Sequence, residues 1–449
     1  MASYKQSIKT INMGKISAIA FIFLTLPFFI QAQGFDPVMA GKLQNTVDSI
    51  RTVKNLKGIS ACVIYPGQGA WKGASGISHP GTPITSGMEF GIASNTKLFT
   101  GVLLLKLAEN NLLDLDDSLH SFLPTYNNID PNITIRQLLN HTSGLADVTS
   151  VPGYPDSILT NPDRIFTPGE LMTWAGPPLF AAGTGWSYCN TNYLLAGMIA
   201  ESVTGQSYGR LLRDSILTPL QLDSTFLDVY DTIPYAIAHP WQGGADNSSI
   251  PRKALNSAAW AAGAMYSTSG EMAQWYHALM SGQVINTASI NEMTTFVGSG
   301  NYGIGLSRAT IMGRTVWQHG GTIWGGYNSS MMYDTATGAV ICVLVNQLPA
   351  QAFQIAIQLL STLVSNPVST AENSPGEAYV RVCPNPASDF VHIDTPGCHV
   401  QSISIINPAG QLVRASSEAV FSVEDFPVGL YYLSVQTDRG TYICKLIRQ

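Results

Sequence analysis

The chain has 449 residues, of which 45% are hydrophobic and 12% charged, and its net charge is −6. This length fits one large domain plus a smaller one, and the hydrophobic content is ample for a core. The charge is only mildly negative and the sequence has no run of Lys and Arg, so the composition argues against a nucleic-acid partner.

The first 33 residues have the pattern of a secretory signal peptide. Lys5, Lys9 and Lys15 provide the positive start, residues 16–30 are apolar, and Ala32 is a small residue at a plausible cleavage point. The alternative is an uncleaved membrane anchor, although the apolar run is short for a bilayer span. We therefore expect export, removal of residues 1–33 and no transmembrane segment in the mature chain.

The next 330 or so residues predict one domain, 34–364. A helical pattern over 36–53 leads into a strand-like run at 58–67, and residues 110–299 are rich in loops and helices. Strand-like runs return at 315–324, 326–334 and 338–346, followed by a helical run at 350–364. Strands at both ends of a domain with helices between them predict an α/β class, with one sheet built from the two ends and an inserted helical region.

Composition separates a C-terminal module from this domain. Residues 365–377 are rich in Ser, Pro, Asn and Glu and are typical of a linker. Residues 378–449 contain short alternating strands between turn residues, which predicts a small all-β sandwich without a cluster of catalytic residue types.

Six cysteines occur in this exported chain, and their spacing matches no zinc site. Cys62 and Cys342 both lie in apolar strand-like runs. They could be disulfide-bonded neighbours, but buried free thiols are the favoured interpretation.

The stretch "ASNTK" places Ser94 three residues before Lys97, where an irregular segment becomes an apolar helix. Residues i and i+3 share a helix face, so the hydroxyl would lie beside the amine. Serine needs a neighbouring base to become a nucleophile, and a desolvated lysine loses its proton more easily. The alternative is a helix cap at Ser94 and a lysine that reaches solvent.

Two later motifs decide in favour of the catalytic pair. Tyr188-Cys189-Asn190 precedes an apolar helix, and His319-Gly320-Gly321 lies in a predicted strand. With "ASNTK", and with the phrase "LLNHTSGL" at 138–145, they resemble the ordered motifs of the serine β-lactamase and penicillin-binding protein family, in its class C-type DD-peptidase and esterase branch. The resemblance covers about residues 36–364 and implies a β-lactamase/transpeptidase-like fold.

The resemblance also implies roles for individual residues. Ser94 would be the acylated nucleophile, Lys97 its proton partner and Tyr188 a general base or part of a proton relay. The substrate would be bound by Asn190, by His319 and Gly321 on the strand, and by Thr322, whose backbone N–H would complete an oxyanion hole with that of Ser94. This chemistry needs no metal ion or cofactor, and its substrate would be a small molecule or a peptide.

The third motif departs from the K-T-G pattern of many relatives. His319 replaces a permanently charged lysine, and Gly320 lacks the threonine hydroxyl that helps hold a substrate carboxylate. We therefore expect weaker recognition of that carboxylate and a preference for esters, or for amides without it. Ester, D-amino-acid amide, stem peptide and β-lactam all remain candidate substrates.

The sequence leaves two alternatives to this function. "GQSYG" at 205–209 matches the nucleophile elbow of α/β-hydrolases, but a helical pattern precedes it where that motif needs a strand, so Ser207 is interpreted as a helix cap. A catalytically inactive sensor or binding protein with the same fold is the non-enzymatic alternative, although Ser94, Lys97 and Tyr188 are all present.

The C-terminal module resembles the sorting domain of the type IX secretion system. "PNPASD", the "GQLV" turn and the final Gly-x-Tyr strand carry the likeness. It implies the type IX machinery as a partner and a location in the medium or on the outer cell surface. The alternative is a carbohydrate- or protein-binding sandwich, for which Tyr431 and Tyr432 are the available aromatic residues.

Overall fold

The computed structural model describes residues 34–365, 380–395, 398–407, 412–438 and 440–449. The chain divides into two compact units, residues 1–367 and 368–449. The predicted signal peptide lies outside the described residues, as does the predicted linker apart from Ser365.

Helices account for much of the first unit. They are α1 (Pro37–Val53), α2 (Thr96–Glu109), α3 (Ile135–Leu139), α4 (Tyr154–Leu159), α5 (Pro168–Met172), α6 (Asn190–Thr204), α7 (Tyr208–Leu212), α8 (Arg252–Gly263), α9 (Ser269–Met280), α10 (Thr287–Met293) and α11 (Ala352–Ser365). Among the described residues, no helix has both the length and the apolar character that crossing a membrane requires.

The strands of the first unit are mostly at its two ends. They are β1 (Gly58–Tyr65), β2 (Gly69–His79), β3 (Thr82–Pro83), β4 (Phe90–Gly91), β5 (Thr225–Leu227), β6 (Trp241–Gln242), β7 (Ala245–Asp246), β8 (Met265–Ser267), β9 (Ser307–Ile311), β10 (Arg314–Ile323), β11 (Tyr327–Asp334), β12 (Val340–Val345) and β13 (Gln347–Leu348).

One antiparallel sheet organises this unit, with the order β3-β2-β1-β12-β11-β10-β9. The first and last strands of the unit therefore meet at its centre, which confirms the predicted sheet built from both ends. The helices α1 and α11 pack on one face, and α9 packs on the other. Because both faces are covered, β12 is buried at every position and its sequence, VICVLV, is uniformly apolar.

The helix α2 is buried within the unit, and its first turn carries Lys97. The helix's own apolar side chains point in all directions around its axis, as expected for a helix buried within a large core. It packs against α6 and α8, so three chain segments far apart in sequence converge at its first turn.

The two cysteines singled out in the sequence are direct cross-strand neighbours. Cys62 on β1 pairs with Cys342 on β12, and both are buried free thiols. Burial raises the pKa of Cys62 to about 12, so this thiol stays protonated and unreactive at neutral pH.

The second unit is a small β-sandwich, as predicted. Its strands are β14 (Arg381–Cys383), β15 (Phe390–Asp394), β16 (Val400–Ile406), β17 (Leu412–Ser416), β18 (Val420–Ser422), β19 (Gly429–Thr437) and β20 (Gly440–Arg448). They form two antiparallel sheets, β14-β15-β18 and β17-β16-β19-β20. Alternate residues from both sheets, including Val391, Ile403 and Leu433, share one apolar core.

Glu89 is a buried carboxylic acid in the first unit. It is fully buried beside β4, and neither carboxyl oxygen has a hydrogen-bond partner among the described residues. Burial, reinforced by the nearby Glu271 carboxylate, raises the pKa of Glu89 from 4.5 to about 9. The folded state therefore holds this proton at neutral pH, whereas the unfolded chain releases it.

This raised pKa predicts that Glu89→Gln stabilises the protein above pH 5. The wild type loses stability as pH rises from 4.5 towards 9, by up to about 1.4 kcal/mol per pH unit, because only the unfolded state ionises there. Thermal unfolding of both proteins should show a melting-temperature gain for the variant that grows between pH 5 and pH 8. The exposed Asp163→Asn serves as the matched control and should show no such growth. A gain that does not change with pH would contradict the assignment.

Candidate active site

Ser94 lies in a single 3-10 turn, Ala93–Asn95, between β4 and α2. The preceding Ala93 has a φ of +51°, a left-handed conformation that costs free energy in a residue with a side chain. Asn95, and not Ser94, occupies the N-cap position of α2. The helix-cap alternative for Ser94 is therefore wrong, and the strained turn presents its hydroxyl at the surface of a cleft.

Lys97 points inward, and its amine is completely enclosed. The Nζ atom lies 3.2 Å from Ser94 Oγ, 2.7 Å from Asn190 Oδ1 and 2.7 Å from the Ala262 carbonyl oxygen. Burial lowers the pKa of Lys97 to about 7, although the carboxylate of Asp147 opposes that shift. A substantial fraction of this lysine is therefore a neutral amine near neutral pH, beside the serine hydroxyl.

Tyr188 completes a group of three around the serine. Its ring centroid lies 5.0 Å from Lys97 Nζ, and its phenol is close enough to the Ser94 hydroxyl for that group to lower the pKa of Tyr188 slightly. Burial of the hydroxyl raises the pKa of Tyr188 far above its usual range, so it is a neutral phenol at physiological pH. In this state it can donate a proton but is not ready to accept one.

Asn190 is the first residue of α6 and does not cap that helix with its side chain. Its Nδ2 atom donates to Asp147 Oδ2 at 2.9 Å and to Thr149 Oγ1 at 3.0 Å. These two acceptors orient the amide so that Oδ1 faces Lys97. Asp147 also accepts from the Asn190 backbone N–H at 3.1 Å. Asp147 was not predicted from the sequence, where its only signal is its position two residues after "LLNHTSGL".

His319 lies on β10 and is buried and neutral. Its Nδ1–H donates to the Gly320 carbonyl at 2.6 Å, which leaves Nε2 to accept from the Tyr302 hydroxyl at 2.9 Å. Burial, aided by the positive charge of Lys97, lowers the pKa of His319 to about 3. With both ring nitrogens engaged and no charge, this histidine cannot act as the cation that a lysine would be.

His141, which lies in the phrase "LLNHTSGL", packs against the Tyr188 ring. Its Nδ1 accepts from the backbone N–H of Cys189 at 3.2 Å and from Asn192 Nδ2 at 3.0 Å. Its ring centroid lies 4.4 Å from that of Tyr188, and Tyr302 packs on it at 4.6 Å. Burial lowers the pKa of His141 well below its usual value, so an uncharged ring holds Tyr188 in place.

Gly321 allows β10 to lie directly against the turn that carries Ser94. A Cβ atom at this position would lie 2.2 Å from the Ile92 carbonyl oxygen and 2.3 Å from Ser329 Oγ, both closer than any real contact. At Gly320, by contrast, a Cβ would meet only the Ser329 carbonyl oxygen, at an ordinary 3.7 Å. The glycine at 321 is therefore a requirement of packing, whereas the glycine at 320 is not.

The outer edge of β10 is available to a substrate. The strand β9 pairs with β10 only as far as Gln318, so residues 319–323 have no partner strand on that side within the described part of the chain. Thr322 lies on this free edge and lines the same cleft as Ser94. Ser94 and Thr322, the two residues predicted to form the oxyanion hole, therefore line the same cavity.

The cleft has a volume of about 300 Å³ and is mainly apolar. Its polar lining groups are Ser94, Thr149, Asn190 and Thr322, and none of the described lining residues is charged. Its remaining walls are formed by Ala93, Tyr154, Pro155, Leu255, Ala259, Ala262, Gly263, Ile323 and Trp324. The cleft suits an uncharged group at the point of reaction.

Ser207 is not part of this site. It directly precedes α7, and α6 rather than a strand comes before it, so the requirements of a nucleophile elbow are not met. Its position is that of an N-cap, as predicted, but its side chain makes no capping hydrogen bond.

The sequence that builds this site matches the model of a known protein family. The family model described as "Beta-lactamase" matches residues 43–362, which include the whole site. The chain belongs to the β-lactamase family. A second model, "Secretion system C-terminal sorting domain", matches residues 381–449. The C-terminal unit is therefore a type IX sorting domain, and it directs this family member to the cell surface or the extracellular space.

Solved relatives confirm the fold of the first unit. A D-stereospecific amidohydrolase from Streptomyces sp. is 30% identical with a TM-score of 0.63, over 71% of this chain and 97% of that one. A D-amino acid amidase from Ochrobactrum anthropi SV3 is 26% identical with a TM-score of 0.66, over 73% of this chain and 99% of the amidase.

Curated relatives match over shorter stretches. Penicillin-binding protein 4 of Amycolatopsis lactamdurans is 32% identical over 46% of this chain and 55% of its own length. Protein flp of Staphylococcus aureus (strain MW2) is 35% identical over 36% of this chain and 33% of its own length. The chain thus spans between a third and about half of these two curated relatives.

The two neighbouring glycines on β10 provide a matched test of the site geometry. We expect Gly321→Ala to push β10 away from Ser94 and to lower kcat/KM for an activated ester by at least about tenfold, since a displacement of about 1 Å can cost a hundredfold. Gly320→Ala should stay within about a factor of two to three, because its added methyl group meets only ordinary contacts.

The measurement is ester hydrolysis by both variants, with melting temperatures to confirm that each is folded. Equal losses in the two variants would contradict the close approach of β10 that we describe.

Proposed function

We propose that this chain is an exported serine hydrolase that cleaves an ester or amide through an acyl-enzyme on Ser94. The observation that carries the proposal is the enclosed amine of Lys97, 3.2 Å from the Ser94 hydroxyl and with its pKa lowered to about 7. A general base works best when its pKa lies near the working pH, because a large fraction of it is then unprotonated and still has a high affinity for a proton.

Lys97 is the base in acylation. The neutral amine takes the proton of Ser94 as Oγ bonds to the substrate carbonyl carbon. The resulting ammonium is held by the Asn190 amide oxygen and the Ala262 carbonyl oxygen, both 2.7 Å away. These acceptors stabilise the charge as it forms, without having to reorganise.

Tyr188 is the acid for the leaving group. Its neutral phenol donates a proton to the departing oxygen or nitrogen as the bond to the carbonyl carbon breaks. The phenolate left behind lies near the new Lys97 ammonium, which offsets its charge. In deacylation the phenolate takes a proton from the attacking water, and Lys97 returns its proton to Ser94 as the acyl–oxygen bond breaks. Every proton is thus restored after one turnover.

The oxyanion is placed between the backbone N–H groups of Ser94 and Thr322. Both residues line the cleft, and the glycine at 321 lets their chain segments approach closely. Fixed backbone donors of this kind are typically worth about two to three powers of ten in rate each.

The substrate carries no carboxylate next to the scissile bond. The described lining of the cleft has no charged group, His319 is neutral, and position 320 lacks a hydroxyl. Esters and uncharged amides fit this chemistry, and amides are supported by the two solved relatives whose names describe an amidohydrolase and an amidase. Neutral Lys97 beside Ser94 favours an active enzyme over a sensor.

Covalent labelling tests the proposal directly. A fluorophosphonate probe should modify Ser94, and peptide mass spectrometry should locate the adduct there. Ser94→Ala should abolish both labelling and hydrolysis, whereas Ser207→Ala, the matched control, should retain both. A folded protein that no probe labels, and that leaves a small ester, a D-amino-acid amide, a D-Ala-D-Ala peptide and nitrocefin intact, would instead indicate the sensor.

The role of Lys97 predicts a rising pH profile. Because the protonated amine cannot accept the Ser94 proton, kcat/KM for p-nitrophenyl acetate should increase with pH and level off above an inflection near 7. Lys97→Arg, which stays protonated, should lose about two to four powers of ten at every pH. The profile is measured from pH 5 to pH 9 in both proteins. A wild-type profile that is flat across this range would contradict the assignment.

A further inference from the structure

A second cavity adjoins the catalytic cleft. It has a volume of about 210 Å³. Leu255, Ile323 and Trp324 line both cavities, so the two share a wall of side chains. Ile323 and Trp324 directly follow Thr322, so the second cavity continues along β10 beyond the proposed oxyanion site. Nothing in the proposed catalytic steps uses it.

Its lining combines an apolar body with a polar end. Ile237, Pro240 and Ile250 extend the apolar surface begun by the shared residues. Three polar residues line its other end: His239, Ser248 and Arg252. Arg252 is a cation, whereas the described lining of the catalytic cleft has no charged residue. Such a cavity fits a chain that is apolar for most of its length and polar at its tip.

Arg252 is held in place by two contacts. Its Nε atom lies 3.1 Å from Oδ2 of Asp228, a carboxylate that is only 2% exposed, and its guanidinium lies 5.8 Å from the ring centroid of Tyr266. The side chain is nevertheless 47% exposed. The terminal amino groups have no hydrogen-bond partner among the residues that the structure describes, and the contact with Asp228 is an ion pair. A guanidinium anchored in this way presents its remaining donors as a preoriented fork for a carboxylate.

We propose that this cavity is a distal acyl subsite in which Arg252 binds a carboxylate remote from the scissile bond. The inference rests on the proposed function, since it assumes that the scissile carbonyl lies at Ser94. Tyr188, the proposed acid for the leaving group, lines neither cavity, whereas Thr322 leads directly to the subsite. The acyl part of the substrate therefore enters the subsite. The substrate class is a half-ester or half-amide of an aliphatic dicarboxylic acid, or an acyl group with an equivalent terminal anion.

Two esters that differ in one group provide the test. Mono-p-nitrophenyl adipate carries a terminal carboxylate where p-nitrophenyl hexanoate carries a methyl group. We expect the wild type to show the higher kcat/KM for the adipate ester after subtraction of the spontaneous rate. Arg252→Gln should lower kcat/KM for the adipate ester by about ten- to a hundredfold, the typical loss of hydrogen bonds to a charged group, and change the hexanoate value by less than about threefold.

Two further variants guard against misfolding, since Arg252→Gln alone leaves Asp228 buried without its cation. The double variant Arg252→Gln with Asp228→Asn removes both charges and should show the same selective loss for the adipate ester. Arg210→Gln, at an exposed surface pair, is the matched control and should change neither ester. No preference for adipate in the wild type, or an equal loss for both esters in the double variant, would overturn the subsite.

Failure of the subsite can be told from failure of the proposed function. If Ser94→Ala still hydrolyses both esters, the proposed function fails, and the cavity is then tested by binding alone. Monomethyl adipate should quench tryptophan fluorescence saturably in the Ser94→Ala protein, and Trp324→Phe should remove most of that signal. Quenching that is unaffected by Arg252→Gln, or the absence of quenching, would overturn the subsite regardless of catalysis.

Discussion

The site depends on the desolvation of one amine. Lys97 is fully enclosed by α2, α6 and α8, and its three hydrogen-bond partners are all oxygen acceptors on different parts of the chain. Water would hold this lysine in its charged form, whereas enclosure brings the two forms near balance at neutral pH. The apolar surface around α2 therefore contributes both to the stability of the core and to the chemistry proposed for Ser94.

Burial also sets the protonation states of the other ionisable groups near the serine. His319 and His141 are both neutral because they are buried, and Tyr188 is kept as a phenol. Asp147 is the carboxylate whose charge opposes the loss of the Lys97 proton, and it separately orients Asn190 by accepting from its side-chain amide. In the proposed reaction the charge changes fall on Lys97 and Tyr188, whereas Asn190, His141 and His319 act as fixed dipoles.

Close approach of backbone segments provides the other half of the geometry. The turn at Ala93 is strained, and the strand β10 reaches it only because residue 321 has no side chain. Strain of this kind persists when the surrounding structure determines it. Here Ser329 on β11, which pairs with Gly321 on β10, ties the turn to the sheet by donating to the Ile92 carbonyl oxygen at 2.7 Å. The central sheet thus supports the candidate active-site cleft along the free edge of β10.

Local sequence patterns determined the positions of the strands at the two ends of the domain, the apolar α2, the β-sandwich tail and the three motifs that carry Ser94, Tyr188 and His319. Those patterns are strong because periodicity and short motifs depend on neighbouring residues. Only the tertiary structure decided that Ser94 is not a helix cap, that Asp147 orients Asn190 and that His141 packs on Tyr188. It also decided that Gly321, unlike Gly320, is required by packing. These properties depend on contacts between segments tens to hundreds of residues apart, and on burial, which sets a pKa through surroundings that no local stretch of sequence contains.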